Sequence, residues 1–282
     1  MEIRSILVHL DLHEQTQARV AAAAALARRH DACLVGVAPA GFVVMPGDCT
    51  SLVAAAAYLE SMQALLHEQA QSCVQRFESQ VRGLGLTSYE GRVQAEDSVG
   101  AMTLAARYCD LTVVTQADPG RWAAGEQAGM PESVLLHSGR PVLVLPRAGA
   151  AVMPPDGRVL LAWDGGREAA RAAMDALPLL RQAREIEVLI FVPLLDRYDP
   201  RHGPLPGADI CLWLVRHGLK AQATRAEIEG PVGEAVLAHA AAVNAQLIVA
   251  GGYGHSRLRE TVLGGVTRTL LRSATVPVLF SH

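Results

Sequence analysis

Gly251, Gly254, Gly264 and Gly265 stand at a spacing that can cradle a phosphate. Gly251-Gly252-Tyr253-Gly254 follows the apolar run Leu247–Ala250, and nine residues further on Gly264-Gly265-Val266-Thr267 opens a stretch of helical spacing. Residues without a Cβ let the backbone turn sharply and present amides at close range. The first amides of a helix have no intrahelical partner, so a helix N-terminus attracts an anion. Thr267 adds a hydroxyl in that first turn, and His255, Arg257, Arg259 and Arg268 bring positive charge nearby. A second apolar run, Arg158–Ala162, leads to Asp164-Gly165-Gly166. There a carboxylate can accept a hydrogen bond from a ribose hydroxyl or a base amine. Trp163 beside it can stack on a base, or equally sit buried at a strand end.

Other chemistries find little support. No G-x-x-x-x-G-K-[ST] occurs. Gly254-His255-Ser256-Arg257-Leu258 lacks the final glycine of a nucleophile elbow. The ten histidines include no H-E-x-x-H or similar pair, and the five cysteines are widely spaced with no C-x-x-C. The cysteines therefore read as small buried thiols in a reducing compartment, taken to be the cytoplasm.

The elements that must hold these residues repeat. Ser5–Asp11 and Arg158–Asp164 are both apolar runs ending in an acid, each followed by an Ala-rich helical segment. Leu111–Val114 and Leu247–Ala250 are each followed by a loop, a short helix and a Pro-Val-Leu strand, at Arg140–Leu145 and Val276–Phe280. Between them strand and helix alternate: strands at Ala32–Val37, Thr87–Val93, Ile186–Val192 and Lys220–Ile228, and helices at Leu52–Arg82, Ser98–Tyr108, Asp209–His217 and Val232–Val243. Continuous Val/Ile/Leu strands alternating with amphipathic helices imply parallel α/β sheets covered on both faces. Pro146–Gly157 is rich in Gly, Ala and Pro and reads as a linker. We place two domains in tandem, 1–150 and 151–282. The first carries an insertion from Pro39 to Tyr58, the second a Pro-rich loop from Pro193 to Gly207.

Composition narrows the classes. The net charge of -3 argues against bulk binding to nucleic acid or an anionic membrane. No apolar stretch reaches the roughly 20 residues a bilayer requires. MEIRSILVHL, broken by His9 and then Asp11, is not expected to be a cleaved leader.

The pattern Gly251-x2-Gly254-x9-Gly264-Gly265, with Asp164-Gly165-Gly166 after the opening strand, resembles the ATP-binding motif of the universal stress protein family. The likeness covers both halves and is that of the tandem bacterial members. It implies Rossmann-like, five-stranded parallel open sheets in the order 3-2-1-4-5. It further implies closing strands, Val142–Leu145 and Val276–Phe280, that pair into an intrachain pseudo-dimer able to dimerise again. By resemblance the ligand is ATP, ADP or AMP, with Mg2+ as an accompanying ion. Asp164 would lie near the adenosine, and Ala162 with Ile190–Val192 would line the base. Gly251, Gly254, Gly264, Gly265, Val266 and Thr267 would surround ribose and phosphates, with His255 and Arg257 beside them.

Two departures bear on affinity. Gly265 and Gly166 stand where the family carries hydroxyls, and each lost bond to a charged group removes about 1–3 kcal/mol. The first half departs further. Thr115-Gln116-Ala117-Asp118-Pro119-Gly120 has no G-x-x-G, and Met130-Pro131-Glu132-Ser133 replaces the glycine pair, so Glu132 and Asp118 would repel an anion there. No triphosphate site is expected in that half, although Asp11 persists. The resemblance implies a stress-response sensor or regulator acting through a protein partner, with slow ATP hydrolysis as its upper limit of catalysis. The alternative is a scaffold, or a protein with another small ligand, whose glycines only make turns.

Overall fold

The computed structural model describes residues 2–43, 52–117, 129–149, 152–192, 205–227, 230–254 and 265–282. The first half runs β1 (Ser5–His9), α1 (Thr16–His30), β2 (Cys33–Pro39), α2 (Leu52–Gly83), β3 (Tyr89–Gln94), α3 (Ser98–Ala106), β4 (Leu111–Thr115), α4 (Met130–His137) and β5 (Val142–Leu145). The second runs β6 (Arg158–Ala162), α5 (Arg167–Leu180), β7 (Glu185–Val192), α6 (Ala208–Arg216), β8 (Ala221–Glu227), α7 (Val232–Ala242), β9 (Leu247–Gly251), α8 (Gly265–Ser273) and β10 (Val278–Ser281). The expected elements are present within a residue or two at most ends. The expected division near residue 150 falls outside the described residues, as do residues 44–51 of the insertion after Pro39 and most of the loop before Gly207.

All ten strands form one sheet, in the order β3-β2-β1-β4-β5-β10-β9-β6-β7-β8. Each half has the order 3-2-1-4-5, and its strands pair parallel. The halves meet at the antiparallel pair β5–β10, with Val142 opposite Phe280, Leu143 opposite Leu279 and Val144 opposite Val278. The expected intrachain pairing of the closing strands is therefore the centre of the molecule.

Strand alternation explains the layers. Ile6, Val8, Val159 and Leu161 face one side, where α1, α2, α5 and α6 cover them. Leu7 and Leu160 face the other, beneath α3, α4, α7 and α8. Central strands buried on both faces need no polar positions, which is why they read as unbroken apolar runs. The two edge strands differ: β3 carries Glu90 and Arg92, and β8 carries Arg225 and Glu227. Charges on an edge discourage further strand pairing.

The β5–β10 seam holds the halves together through fully buried leucines, Leu143 and Leu279. Leu279→Ala should lower the unfolding free energy by about 2–5 kcal/mol, the usual cost of a cavity in a packed core. Urea denaturation followed by circular dichroism checks this; a loss under about 0.5 kcal/mol would mean the seam is not packed as described.

Candidate functional site

In open α/β sheets ligands bind at the carboxyl ends of the strands. In the second half those ends are built from small residues. β6 ends in Ala162 and β9 in Gly251. Asp164 follows β6 and turns the chain into α5: its Oδ1 accepts the backbone N–H of Gly166 at 2.8 Å, and Gly165 takes the left-handed conformation, with φ +70°. A Cβ on Gly166 would lie 2.9 Å from that Oδ1, so glycine leaves room for the carboxylate to fold back.

Gly251 serves a different purpose from the one its motif suggests. It does not make the turn. A Cβ there would stand 2.6 Å from the backbone N of Ala169 and 2.7 Å from the carbonyl carbon of Glu168, so glycine is required for β9 to abut the first turn of α5. Among the described residues of the loop, Tyr253 takes the left-handed conformation, with φ +62°. Its backbone N–H donates to Oγ1 of the buried Thr267 at 3.1 Å, which ties the loop to α8. Gly254 faces two carboxylates: a Cβ on it would lie 3.1 Å from Glu168 Oε2 and 3.7 Å from Asp164 Oδ2. Burial raises the pKa of Glu168, but the Arg167 side chain, its own backbone N–H and His282 outweigh this and hold it below its ordinary value.

The same strand ends in the first half are filled. β1 ends in His9 and β4 in Thr115. Arg19, on the buried face of α1, occupies the space among them. Its Nε donates to His9 O at 2.9 Å, its Nη1 to Thr115 Oγ1 at 2.9 Å, and its Nη2 to Asp11 Oδ2 at 2.8 Å and Thr16 Oγ1 at 3.0 Å. Thr16 also donates to Asp11, and His9 Nδ1 stands 3.2 Å from Asp11 Oδ2. Burial alone would raise the Asp11 pKa; Arg19, His9 and Thr16 hold it far below the ordinary carboxylate range. A cleft of about 780 Å3 lies beside this cluster, between the start of α1 and the second part of α2, with Asp11, His13, Gln17, Ser72 and Arg76 among its walls.

The halves touch through these loops. A Cβ on Gly252 would strike Leu135 of α4 at 2.9 Å. Gln116, just after β4, donates from Nε2 to the carbonyl of Ala274 at 2.9 Å, and its Oε1 accepts the N–H of Arg147. Burial, and then the charge of Glu132, push the Tyr253 phenol up, and Arg268 opposes them. Both Tyr253 Oη and Glu132 Oε2 are buried without a hydrogen-bond partner. Glu132, expected to face an anion position in its own half, thus acts on the loop of the other half.

Of the residues singled out from the sequence, Asp164, Gly254 and Thr267 lie about one loop. Ala162 and Phe191 are half-buried against one face of the sheet, whereas Ile190 is buried in the core on the other. Gly265 opens α8 and is exposed, and Val266 packs partly against the core. His255, Arg257, Arg259, Gly264 and Asp118 lie outside the described residues. Arg19 and Glu168 were not anticipated. Arg19 had a signal: it breaks an Ala-rich helical stripe eight residues after Asp11. Glu168 had none, since an acid in the first turn of a helix is ordinary. Among the described residues no group of three or more His, Cys, Asp or Glu side chains could hold a metal ion, and no helix is long and apolar enough to cross a membrane.

The fold and the strand-end loops define a pair of Rossmann-like α/β units joined edge to edge. Residues 157–282 match the model of the Universal stress protein family. The whole chain has the fold of a universal stress protein from Archaeoglobus fulgidus DSM 4304, at TM-score 0.72 and 18% identity, covering 100% of this chain and 99% of that one. A functionally unknown protein from Pseudomonas aeruginosa PAO1 is similar at TM-score 0.60 and 15% identity, covering 99% and 92%. A universal stress protein in complex with cAMP aligns with 51% of this chain and 98% of its own, at TM-score 0.37 and 17% identity. A sequence comparison with curated proteins finds no match.

Removing one partner of a buried ion pair costs far more than the pair is worth. Arg19→Ala should destabilise the chain by about 3–5 kcal/mol. A depressed Asp11 pKa stabilises the fold above the ordinary value of 3.8, and that stability is lost as pH falls below it. Denaturation of the wild type and Arg19→Ala between pH 3 and 7 should show the gap between them narrowing as the medium becomes acid. A constant gap would contradict the Asp11–Arg19 assignment.

Proposed function

We propose that the chain binds an adenine nucleotide in its second half, at the loops after β6 and β9, and that the first half has no equivalent site. The observation that carries this is the contrast at matching strand ends: Ala162 and Gly251 in one half, His9 and Thr115 around the Arg19 guanidinium in the other. In this reading 1–150 and 151–282 are two domains with divided work, the second for a ligand and the first for shape or contact with a protein partner.

The residues present suit a nucleoside. Asp164 would accept from a ribose hydroxyl through Oδ2, the oxygen that faces Gly254. Ala162 and Phe191 would flank the base. The amides around Gly254 and at the start of α8 would meet phosphate oxygens, because a helix N-terminus leaves amides unpaired. ATP, ADP and AMP are all candidates, and Mg2+ would accompany the longer two. Occupancy would make the protein a cytoplasmic sensor or regulator; Asp164 Oδ1 already serves its own turn. That use of Oδ1 also favours the rival reading, a scaffold in which the aspartate only shapes the loop.

Calorimetry on the purified chain separates the two. An adenine nucleotide should bind with a dissociation constant below millimolar and a stoichiometry of one, and Gly254→Glu should abolish it. Absence of binding, or equal binding by Gly254→Glu, would leave the scaffold.

A further inference from the structure

Among the described residues, the loops after β6 and β9 bring two carboxylates, Glu168 and Asp164, to Gly254. Glu168 lies in the first turn of α5 and is 8% exposed. Its Oε1 pairs with Arg167 Nε at 2.5 Å, on a side chain that is itself 68% exposed. Its Oε2 is the atom nearest the missing Cβ of Gly254, at 3.1 Å, with Asp164 Oδ2 next at 3.7 Å. Among the described residues hydroxyls are scarce around the loop. Gly166 and Gly265 have none, and the Thr267 oxygen already accepts the N–H of Tyr253.

We propose that Glu168 is a specificity-determining residue that makes this site discriminate against phosphate charge, so that its ligand is adenosine or adenosine monophosphate rather than the triphosphate. This rests on the adenine-nucleotide reading above and sharpens it. The physical ground is simple. A carboxylate with one counter-ion on its outer oxygen presents net negative charge on its inner one. In a half-buried loop that charge is screened much less than at an open surface, so each added phosphate charge meets added repulsion. The Arg167 contact and the backbone N–H of Glu168 favour the ionised form and outweigh burial, so the carboxylate is charged at neutral pH. A ribose hydroxyl, by contrast, gains from the same oxygen as a hydrogen-bond acceptor.

The test is a calorimetric series of adenosine, AMP and ATP in EDTA at low and high salt, on the wild type, Glu168→Gln and Arg167→Ala. Glu168→Gln keeps the shape and hydrogen-bonding reach and removes the charge. The wild type should bind adenosine and AMP about tenfold or more tighter than ATP, with the gap narrowing at high salt. Glu168→Gln should raise ATP affinity about tenfold and change that of adenosine by less than about threefold. Arg167→Ala, which exposes the carboxylate further, should weaken ATP and AMP and leave adenosine alone. If ATP binds tightest in the wild type, or if the Gln variant shifts all three ligands equally, the inference is overturned while nucleotide binding stands. If none of the three binds, the nucleotide reading itself fails and this inference with it.

Discussion

The antiparallel pairing of β5 with β10 governs the rest of the molecule. It makes one sheet of two parallel ones and forces their strands to run in opposite directions. The carboxyl ends of the two halves therefore lie at opposite ends of the strands. Each half thus has its own strand-end loops. The same pairing brings the loop after β9 against α4 and the loop after β4 against the end of α8, through Gly252 with Leu135 and Gln116 with Ala274.

Within this symmetry the halves have solved the strand-end problem differently. Strand ends expose backbone groups and need either a ligand, water or side chains to meet them. The first half meets them with Arg19, whose fixed fork reaches His9 O, Thr115 and Asp11 at once. The second half leaves small residues there and keeps its aspartate at a loop. A guanidinium at 3% exposure cannot move aside cheaply, because Asp11 would lose its main counter-charge. That difference separates a strand end filled by a guanidinium from one lined by small residues.

Much of the fold was legible. The unbroken apolar strands, the Ala-rich helices and the repeated Pro-Val-Leu endings follow from burial on both faces of a parallel sheet, and periodicity reports that directly. The strand order and the central pairing came from family resemblance. The site was legible in part. Asp164 and the glycine spacing stood out, but not the reason for the glycines: Gly251 answers to the backbone of α5, a contact between elements far apart in the chain. Tyr253 in the left-handed region was hidden by its glycine neighbours, which would be the natural choice for that conformation. Glu132 was read as acting within its own half, because the chain alone does not say which helix lies over which loop.

The most direct measurement of the central claim is a crystal structure of the full chain grown with adenosine monophosphate. The account predicts ligand density beside Asp164 and Gly254 and none beside Asp11, with Arg19 still bonded to Asp11 and Thr115. Ligand beside Asp11 with Arg19 displaced, or equal occupancy of both halves, would contradict it.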